Sequence, residues 1–351
     1  MIDIQTITIT PEMLNIIAEI DEFKGAWQYL ERLAPVRLSA LKKVATIESI
    51  GSSTRIEGAK LSNREVESLL SRIELGSFEN RDEQEVAGYA FSCEKIFEHY
   101  LDMPLKENNI KQMHAWLLRF SDKDERHGGE FKKIPITIEA FDEKGKSVGV
   151  IFETVSPLET PMRMHELIDW TNDAIEKKSL HPLIVIGLFT VLFLAIHPFQ
   201  DGNGRLSRQL TTLLLLQSGY HHVAYSSLES IIEANKEAYY LALQKTQTSW
   251  MRNQPDWAPW LLFFLQCLQR QKQHLEVKII REKNLAQALS GLAKNVLELL
   301  QSHGELKISE LKILTQANRN TLKKTLSSLI RSNHIVMLGK GKGTFYKLNI
   351  N

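Results

Sequence analysis

The stretch that decides the fold is His197-Pro-Phe-Gln-Asp-Gly-Asn-Gly-Arg-Leu-Ser-Arg208. It follows the apolar run Leu183–Ile196, and it leads into Leu206–Leu216, in which leucine recurs at helical spacing. Apolar residues at that spacing are typical of a buried helix. We therefore predict a polar loop between two buried helices, of which the second begins near Gly202-Asn203.

The start of the second helix is a predicted anion site. The first N–H groups of a helix have no partner within it, and the positive end of the helix dipole favours negative charge. Arg205 and Arg208 are three residues apart, so they share a face and place two guanidinium groups beside this site. Asp201 would repel phosphate unless a cation lies between them. We expect Mg²⁺ there, bound by the carboxylate and by phosphate oxygens.

His197 is the group in this loop that accepts a proton at neutral pH, and it is placed where a hydroxyl could attack a phosphorus atom. The loop is therefore interpreted as a cradle for a nucleotide polyphosphate with a general base at its entrance. A glycine-rich turn with an incidental histidine and solvated arginines is the alternative. That alternative accounts for each residue singly, but it does not account for all of them within twelve residues.

The same stretch resembles the signature of the Fic family, His-x-Phe-x-Asp/Glu-Gly-Asn-Gly-Arg-x-x-Arg, with every specified position present. The resemblance implies a mostly helical fold and a protein adenylyltransferase, which transfers AMP from ATP to a hydroxyl side chain of a target protein or of itself. It makes His197 the catalytic base, Phe199 a buried anchor and Asp201 the Mg²⁺ ligand. It assigns the binding of the phosphates to Gly202, Asn203, Gly204, Arg205 and Arg208.

The composition is that of a soluble globular protein, with 351 residues, 43% of them hydrophobic and 24% charged. Cys93 and Cys267 are widely separated and lack metal-binding spacing, which argues against a disulfide scaffold or structural zinc and favours a reducing compartment. No secretion signal is predicted at Met1, and Leu183–Ile196 is shorter than the roughly 20 residues of a membrane helix. We expect a cytoplasmic protein without a membrane partner.

The N-terminal region, residues 1–110, is predicted to be helical and contains a second motif, Ser53-Thr-Arg-Ile-Glu57-Gly58. This motif resembles the inhibitory sequence of Fic proteins, in which Ser or Thr precedes a Glu-Gly or Glu-Asn pair by four residues. We expect the Glu57 carboxylate to form a bidentate pair with Arg208 and to occupy the guanidinium that the terminal phosphate needs. The alternative is a serine that caps a helix and a glutamate on its surface.

A β-hairpin is predicted within this helical chain, from two β-rich runs, 126–138 and 146–154, on either side of Asp142-Glu-Lys-Gly145. The sequence Gly129-Glu-Phe-Lys132 resembles the flap of Fic proteins, which holds a segment of the target protein by strand addition. Pro135 departs from common flap sequences because it lacks a backbone donor. A small structural ribbon is the alternative. The resemblance places four flap residues nearest the nucleotide: Ile136, Thr137, Ile138 and Glu139.

Two further assignments concern single side chains. Tyr239 and Tyr240, followed seven residues later by Gln247, resemble the Tyr-Tyr pair and amide that contact the nucleobase in Fic proteins, where the amide is often Asn. Packing against other helices is the alternative for the tyrosines. His114 lies on the apolar side of a predicted helix, and we interpret it as a core histidine rather than a ligand.

The C-terminal residues 289–351 carry ten Lys and Arg against three Glu, a net charge of +7 that favours an anionic partner. Three helices are predicted there, over 293–302, 309–316 and 320–333, followed by two strands around a Gly/Lys tip. This pattern resembles a winged helix-turn-helix. DNA binding and docking of another protein are alternatives for this module. The basic residues of the recognition helix would be Arg319, Lys323 and Lys324, and those of the wing Lys340 and Lys342.

The expected fold class is therefore mainly α. We predict an N-terminal helical region (1–110), a catalytic core (111–268) with its flap (128–154), a helical connector (269–288) and a winged helix (289–351). The expected function is AMP transfer autoinhibited by Glu57, with ATP, Mg²⁺ and a target protein docked on the flap as partners. The alternatives are another Fic-type transfer, AMP removal, or a DNA-binding regulator that senses nucleotide. A homodimer is also left open.

Overall fold

The computed structural model of this chain describes residues 3–33, 35–73, 78–122, 127–141, 147–287, 291–332, 334–339 and 341–349. Side chains are described over the same ranges except within 29–37, 138–152 and 282–287 and at 301 and 342. The chain forms two compact units, residues 1–33 with 41–274 and residues 34–40 with 275–351. Helices dominate, so the prediction of a mainly α fold is confirmed.

Among the described residues of the first unit, the regular secondary structure consists of helices, short 3-10 turns and one hairpin. Its helices, in chain order, are α1 (Pro11–Leu33), α2 (Pro35–Ile56), α3 (Asn63–Leu70), α4 (Arg81–His99), α5 (Glu107–Leu117), α6 (Thr160–Glu176), α7 (Pro182–Ile196), α8 (Asn203–Gln217), α9 (Leu228–Ala234), α10 (Lys236–Met251) and α11 (Ala258–Gln287). α2 and α11 each have one end among the residues of the second unit. The predicted connector 269–288 begins inside α11, which continues from the core without a break.

The centre of the first unit is α7, in which residues 183–196 are all buried. α6 and α8 pack against it. A helix that is apolar on every side is stable only inside a core, so α7 holds the following loop in the middle of the unit. The predicted pair of buried helices is confirmed, and α8 begins at Asn203 as expected. Among the described residues, none of the helices has the length and hydropathy needed to cross a membrane.

Local sequence fixes where two helices beside the loop begin. The Asn80 side chain caps α4 by accepting a hydrogen bond of 3.0 Å from the N–H of Glu83. Pro182 occupies the first position of α7, where its missing N–H costs nothing, and His181 accepts from the N–H of Leu183 at 3.3 Å. These caps set the first turns of α4 and α7.

The predicted hairpin is present as β1 (Thr137–Phe141) and β2 (Ser147–Glu153), an antiparallel pair in which Thr137 is opposite Glu153. Pro135 precedes β1, so its missing N–H does not interrupt the ladder. The predicted turn, Asp142-Glu-Lys-Gly145, lies outside the described residues.

The second unit combines helices with a small sheet. Its elements are α12 (Gly291–His303), β3 (Glu305–Lys307), α13 (Ile308–Thr315), α14 (Arg319–Arg331), β4 (Ile335–Leu338) and β5 (Phe345–Leu348), and the strands are ordered β3-β5-β4. The sequence predicts the helices and the last two strands. It does not predict β3, because three residues between two helices show too little periodicity. Val296, Leu311 and Leu322 belong to the core of this unit.

Candidate active site

His197 follows the last residue of α7 as its C-cap and has the left-handed conformation, with φ 53° and ψ 62°. Its Nδ1 lies 3.2 Å from the carbonyl oxygen of Leu194. When Nδ1 donates its proton to that carbonyl, Nε2 is left as an acceptor. Burial lowers the pKa of the imidazole to about 4, and the Lys132 ammonium acts in the same direction. His197 is therefore neutral at physiological pH, which is the state that a general base requires.

The turn after His197 is held by His114 and Asn203. The His114 ring stacks on that of Phe199, with 3.8 Å between centroids. Its Nδ1 accepts from the N–H of Gly129 at 2.9 Å, so its Nε2 donates to the carbonyl of Asp201 at 3.0 Å. The Asn203 amide donates to the Phe199 carbonyl at 2.7 Å and accepts from the Phe199 N–H at 2.9 Å. His114 is thus a satisfied core histidine, and the Asn203 side chain is used within the turn.

Asp201 is one member of a ring of four charged side chains. Its Oδ2 lies 3.1 Å from Arg81 Nη2 and 3.2 Å from Arg205 Nη2. Glu85 closes the ring, because its oxygens lie 2.8 Å from Arg81 Nε and 2.9 Å from Arg205 Nη1. Burial raises the pKa of Asp201, but the Arg205 charge and a hydrogen bond from the Gly202 N–H lower it below its ordinary value. Asp201 is therefore ionised, and its side chain is 38% exposed.

The two arginines that were predicted to bind phosphate have different surroundings. Arg205 is buried, and its charge is balanced by Glu85 and Asp201. Arg208 donates from Nε to the Ser53 hydroxyl at 2.8 Å, and from Nη2 to the Ser53 carbonyl at 2.9 Å. Its Nη1 is buried and has no hydrogen-bond partner in the described part of the chain. The N–H groups of Arg208 Nη1 are therefore unused.

Glu57 contacts Arg208 through one hydrogen bond, 2.8 Å from Nη2 to Oε1. The expected pairing is correct, but the expectation of a bidentate pair is wrong, because Ser53 takes up Nε and shares Nη2. The charge of Glu57 raises the pKa of Arg208 against the opposing effect of its burial. Arg208 is therefore charged at neutral pH.

The Glu57 carboxylate also lies against the first turn of α8. A Cβ atom at Gly204 would be 2.9 Å from Glu57 Cδ and would overlap Oε1, so a side chain at this position would displace the carboxylate. The N–H groups of a first helical turn have no partner within the helix and favour an anion. Glu57 is thus an anion at the place where the sequence predicts phosphate.

The spacing of the motif at residues 53–58 follows from the geometry of α2. Ser53 and Glu57 are one helical turn apart, so both reach Arg208 from the same face. Gly58 has φ 111°, a conformation that favours glycine and ends the helix. The carbonyl of Thr54 accepts from the N–H groups of both Glu57 and Ala59, each at 3.1 Å. The glycine therefore stops α2 where the glutamate faces α8.

Tyr239, Tyr240 and Gln247 lie on α10. Tyr239 is buried and packs on Trp260, with 5.8 Å between ring centroids, and burial raises its pKa to about 12. Tyr240 is 37% exposed, and its ring centroid lies 5.2 Å from that of Tyr239. Gln247 is buried. Tyr239 therefore packs against other helices, as the alternative expects. Contact with the nucleobase stays a prediction for all three residues.

The first of the predicted flap residues, Ile136, lies at the base of the hairpin, where hydrogen bonds join its two sides. The Ile136 carbonyl accepts from the Thr154 hydroxyl at 2.8 Å and from the Thr154 N–H at 3.3 Å. Ile136 is half-buried, and Thr137 is exposed. The side chains of Ile138 and Glu139 lie outside the described residues. Their contact with nucleotide remains a prediction.

Three side chains that contact the loop are not predicted from the sequence, namely Arg81, Glu85 and Lys132. The spacing of Arg81 and Glu85 indicates a helix-surface pair, but it does not indicate that the pair meets Asp201. Lys132 donates from Nζ to the carbonyl of Ile196 at 2.8 Å. Two lysines are adjacent in this segment, and the sequence does not distinguish the buried one.

Residues 104–215 match the model of the Fic/DOC family. This range extends from just before α5 to the last turns of α8, and it includes the hairpin and the loop. The chain is similar to the protein adenylyltransferase Fic of Drosophila grimshawi, with 26% identity over 296 residues that cover 82% of this chain and 55% of the relative. The corresponding protein of Drosophila mojavensis is also 26% identical, with 82% and 53% covered. The chain spans about half the length of these curated relatives.

Solved structures have the same fold. A Fic family protein from Desulfovibrio desulfuricans G20 is similar over 98% of this chain and 97% of its own, with a TM-score of 0.64 and 24% identity. A segment of Fic-1 from C. elegans has a TM-score of 0.60 and 18% identity, with 77% and 73% covered. The match of residues 104–215 agrees with the resemblance of the loop to the Fic family, and these structures show that the fold is shared.

Proposed function

We propose that this chain is a protein adenylyltransferase, which transfers AMP from ATP to a hydroxyl group of a target protein and of itself. The observation that carries the proposal is the Glu57 carboxylate, which lies on the first turn of α8 and is paired with Arg208. A helix start and a guanidinium that together hold an anion are suited to phosphate. The named activity of the Drosophila relatives supports AMP as the transferred group.

In the proposed reaction, the hydroxyl oxygen of the target attacks the α-phosphorus of ATP. Nε2 of His197 takes the hydroxyl proton as the new P–O bond forms. The bond from the α-phosphorus to the oxygen that bridges to the β-phosphate breaks, and pyrophosphate leaves with the electron pair. The products are the AMP ester of the target and pyrophosphate. Because burial keeps the pKa of His197 near 4, the imidazole is unprotonated when the hydroxyl arrives.

Three features of the chain would bind and orient the phosphates. The first N–H groups of α8 favour an anion, and Arg208 has an unused buried donor on Nη1. His114 and Asn203 hold the turn in which these N–H groups begin. These contacts keep the phosphate site in place before nucleotide enters, which reduces the reorganisation that binding requires.

Asp201 fits the predicted Mg²⁺. Its carboxylate is ionised and partly exposed, and Mg²⁺ in such sites usually has one or two carboxylates together with phosphate oxygens and water as ligands. The described residues include no cluster of three or more acidic, histidine or cysteine side chains that could hold a metal, so the ion would enter with the nucleotide. Bound Mg²⁺ would neutralise charge on the phosphates. Arg81 and Arg205 orient the carboxylate that would hold it.

We also propose that Glu57 inhibits this transfer. The carboxylate takes one donor of Arg208 and covers the first turn of α8, and a terminal phosphate would need both. An anion held there repels the phosphate and leaves it a poorer set of donors. Removal of the carboxylate should therefore raise activity without any change to the catalytic loop.

A second proposal concerns the C-terminal unit, which would bind DNA. Its α14 exposes Arg319, Lys323 and Lys324 on its first turns. Exposed cations at the start of a helix are suited to contact DNA phosphates. Lys340 and the side chain of Lys342, predicted on the wing, lie outside the described residues.

Mass spectrometry of the purified protein after incubation with ATP and Mg²⁺ tests the proposed reaction. An added AMP on a Ser, Thr or Tyr of the Glu57→Gly protein is the expected result. Parallel incubations with UTP and with AMP-modified protein separate the alternatives of UMP transfer and AMP removal. Absence of any nucleotide adduct, with ATP bound, would contradict the proposal.

A further inference from the structure

Lys132 and Lys133 are adjacent in the sequence and have opposite surroundings. Lys133 is exposed, whereas Lys132 is only 3% exposed. The Lys132 ammonium donates to the Thr154 hydroxyl and to the Ile196 carbonyl, both at 2.8 Å, and neither acceptor is an anion. In the described part of the chain, no salt bridge joins it to a carboxylate. Burial of a cation without an anionic partner is costly and is common where a protein uses the charge.

The end of α7 explains why an ammonium group is stable here. Ile196 is the last residue of this helix, and the last four carbonyls of a helix lack partners within it. The C-terminal end of a helix also carries a partial negative charge, which favours a cation. Lys132 supplies both the hydrogen bond and the positive charge. His197 follows Ile196 directly, so the ammonium holds the peptide unit from which the imidazole extends.

The same ammonium is connected to the base of the hairpin. Its acceptor Thr154 follows β2, and the Thr154 hydroxyl donates in turn to the Ile136 carbonyl just before β1, at 2.8 Å. The backbone N–H of Lys132 donates to the Pro198 carbonyl at 2.8 Å. A continuous chain of hydrogen bonds therefore runs from Ile136 through Thr154 and Lys132 to the residue before His197.

We propose that Lys132 is a positioning residue for the transfer reaction, which holds His197 in place and connects its position to the base of the flap. This inference rests on the proposed function. A peptide that adds to the edge of the hairpin would act on the same hydrogen bonds that fix the end of α7. The charge has a second effect, because the ammonium disfavours protonation of the nearby imidazole, whose surroundings also include Glu57 and Asp201.

The test measures self-modification with ATP and Mg²⁺ in the Glu57→Gly protein, from which the proposed inhibitory carboxylate is absent. Lys132→Met removes the ammonium and keeps the length of the side chain. We expect the rate at saturating ATP to fall on the order of ten-fold or more, because small misplacement of a reacting group is costly. The ATP concentration at half-maximal rate should change by less than about two-fold. Lys132→Arg, which keeps the charge, should recover part of the rate.

Two further variants separate the charge from the connection to the flap. Thr154→Val removes the hydroxyl and leaves the ammonium, so we expect a smaller loss of rate. Lys177→Met is the matched control, since this lysine belongs to an exposed ion pair with Asp173 at the end of α6, and its rate should equal that of the parent. Burial lowers the pKa of Lys132 to about 8. The rate should therefore decline as pH rises through about 8, and this decline should be absent in Lys132→Met.

A Lys132→Met rate within about two-fold of the parent would overturn the inference, as would a loss explained wholly by weaker ATP binding. If Lys132→Met does not fold, Thr154→Val takes its place, and a Thr154→Val rate equal to that of the parent would overturn the inference. NMR titration of the His197 imidazole gives a readout that does not need transfer, and its pKa should be higher in Lys132→Met than in the parent. An unchanged value would contradict the role of Lys132, whereas a failure of every variant to transfer AMP would contradict the proposed function.

Discussion

Arg55 and Glu233 form a bidentate ion pair, with 2.6 Å from Arg55 Nε to Oε1 and 2.9 Å from Nη2 to Oε2. The remaining nitrogen, Nη1, donates to the carbonyl of Leu61 at 2.9 Å. The guanidinium lies across Gly51, where a Cβ atom would be 2.6 Å from Nη1. Arg55 precedes Glu57 by two residues. The ion pair therefore ties the end of α2, from which the proposed inhibitory carboxylate extends, to α9.

Loosening this tie should release part of the inhibition. Glu233→Gln keeps the shape of the side chain and removes its charge. Hydrogen bonds to charged groups contribute about 1.5–3 kcal/mol when buried and less when partly exposed. We therefore expect self-modification to rise a few-fold. AMP incorporation measured by intact mass gives the rate. Glu98→Gln is the control, because Glu98 forms an exposed ion pair with Lys95.

The effect of Glu233→Gln should depend on the presence of Glu57. In the Glu57→Gly background, Glu233→Gln should have no further effect, because the carboxylate that the tie positions is already absent. An equal effect in both backgrounds would mean that the ion pair acts on the stability of the unit and not on the inhibitory contact.

His197→Ala should abolish transfer and leave ATP binding nearly intact. The imidazole removes a proton from the attacking hydroxyl, a step that usually contributes about 10²–10⁴-fold, and it is not needed to hold phosphate. Calorimetry with ATP and intact-mass measurement of AMP incorporation report the two properties separately. Transfer within a few-fold of the parent would exclude His197 as the base.

Asp201→Ala should remove most of the Mg²⁺ dependence of nucleotide binding. We expect the parent to bind ATP on the order of ten-fold more tightly with Mg²⁺ than with EDTA, because the carboxylate would share the ion with the phosphates. Calorimetry under both conditions measures the difference. Asp169→Ala, on the exposed face of α6 beside His165, is the control. A parent protein that binds and transfers equally well in EDTA would contradict a metal role for Asp201.

The positions of α7, α8 and the loop could be predicted because their signals are local. A continuous apolar run, a Gly-Asn-Gly break and leucines at helical spacing each reflect the environment of neighbouring residues. The ion pairs Arg81–Asp201 and Arg55–Glu233 join residues that are 120 and 178 positions apart. Such pairs leave no local pattern in the sequence, because only the folded chain brings their members together.

The details of the inhibitory contact show the same limit. The sequence predicts that Glu57 meets Arg208, because the motif at residues 53–58 resembles a known one. It does not predict that Ser53 takes Nε and shares Nη2, which reduces the expected bidentate pair to one hydrogen bond. Hydrogen bonds compete for the five N–H groups of one guanidinium, and only the packed structure decides which acceptors reach them.

DNA binding by the C-terminal unit should depend on α14. Lys323→Ala with Lys324→Ala should weaken binding of a duplex to the full chain and reduce the salt dependence by about one unit for each phosphate that is no longer neutralised. Fluorescence anisotropy at several salt concentrations measures both. Lys294→Ala, an exposed lysine on α12, is the control within the same unit. A parent with no salt-sensitive binding to duplex DNA would instead favour docking of another protein.

Glu57→Gly tests the proposed inhibition and the phosphate site together. Removal of the carboxylate frees Arg208 Nη2 and uncovers Gly204, so the terminal phosphate gains both the guanidinium and the helix start. One charge-assisted hydrogen bond contributes about 1.5–3 kcal/mol, and each 1.4 kcal/mol corresponds to about ten-fold. We therefore expect self-modification with ATP to rise on the order of ten-fold or more, as measured by intact mass.

Arg208→Ala in the Glu57→Gly background should cancel this gain, because the released donor is then missing. A glutamate that merely lies on a solvated helix face predicts no change in either variant. Glu57→Gln discriminates further, since it keeps the size of the side chain and removes only the charge that opposes phosphate. An activity of Glu57→Gly equal to that of the parent, with folding and ATP binding intact, would exclude inhibition by Glu57 and leave the assignment of His197 as the base unaffected.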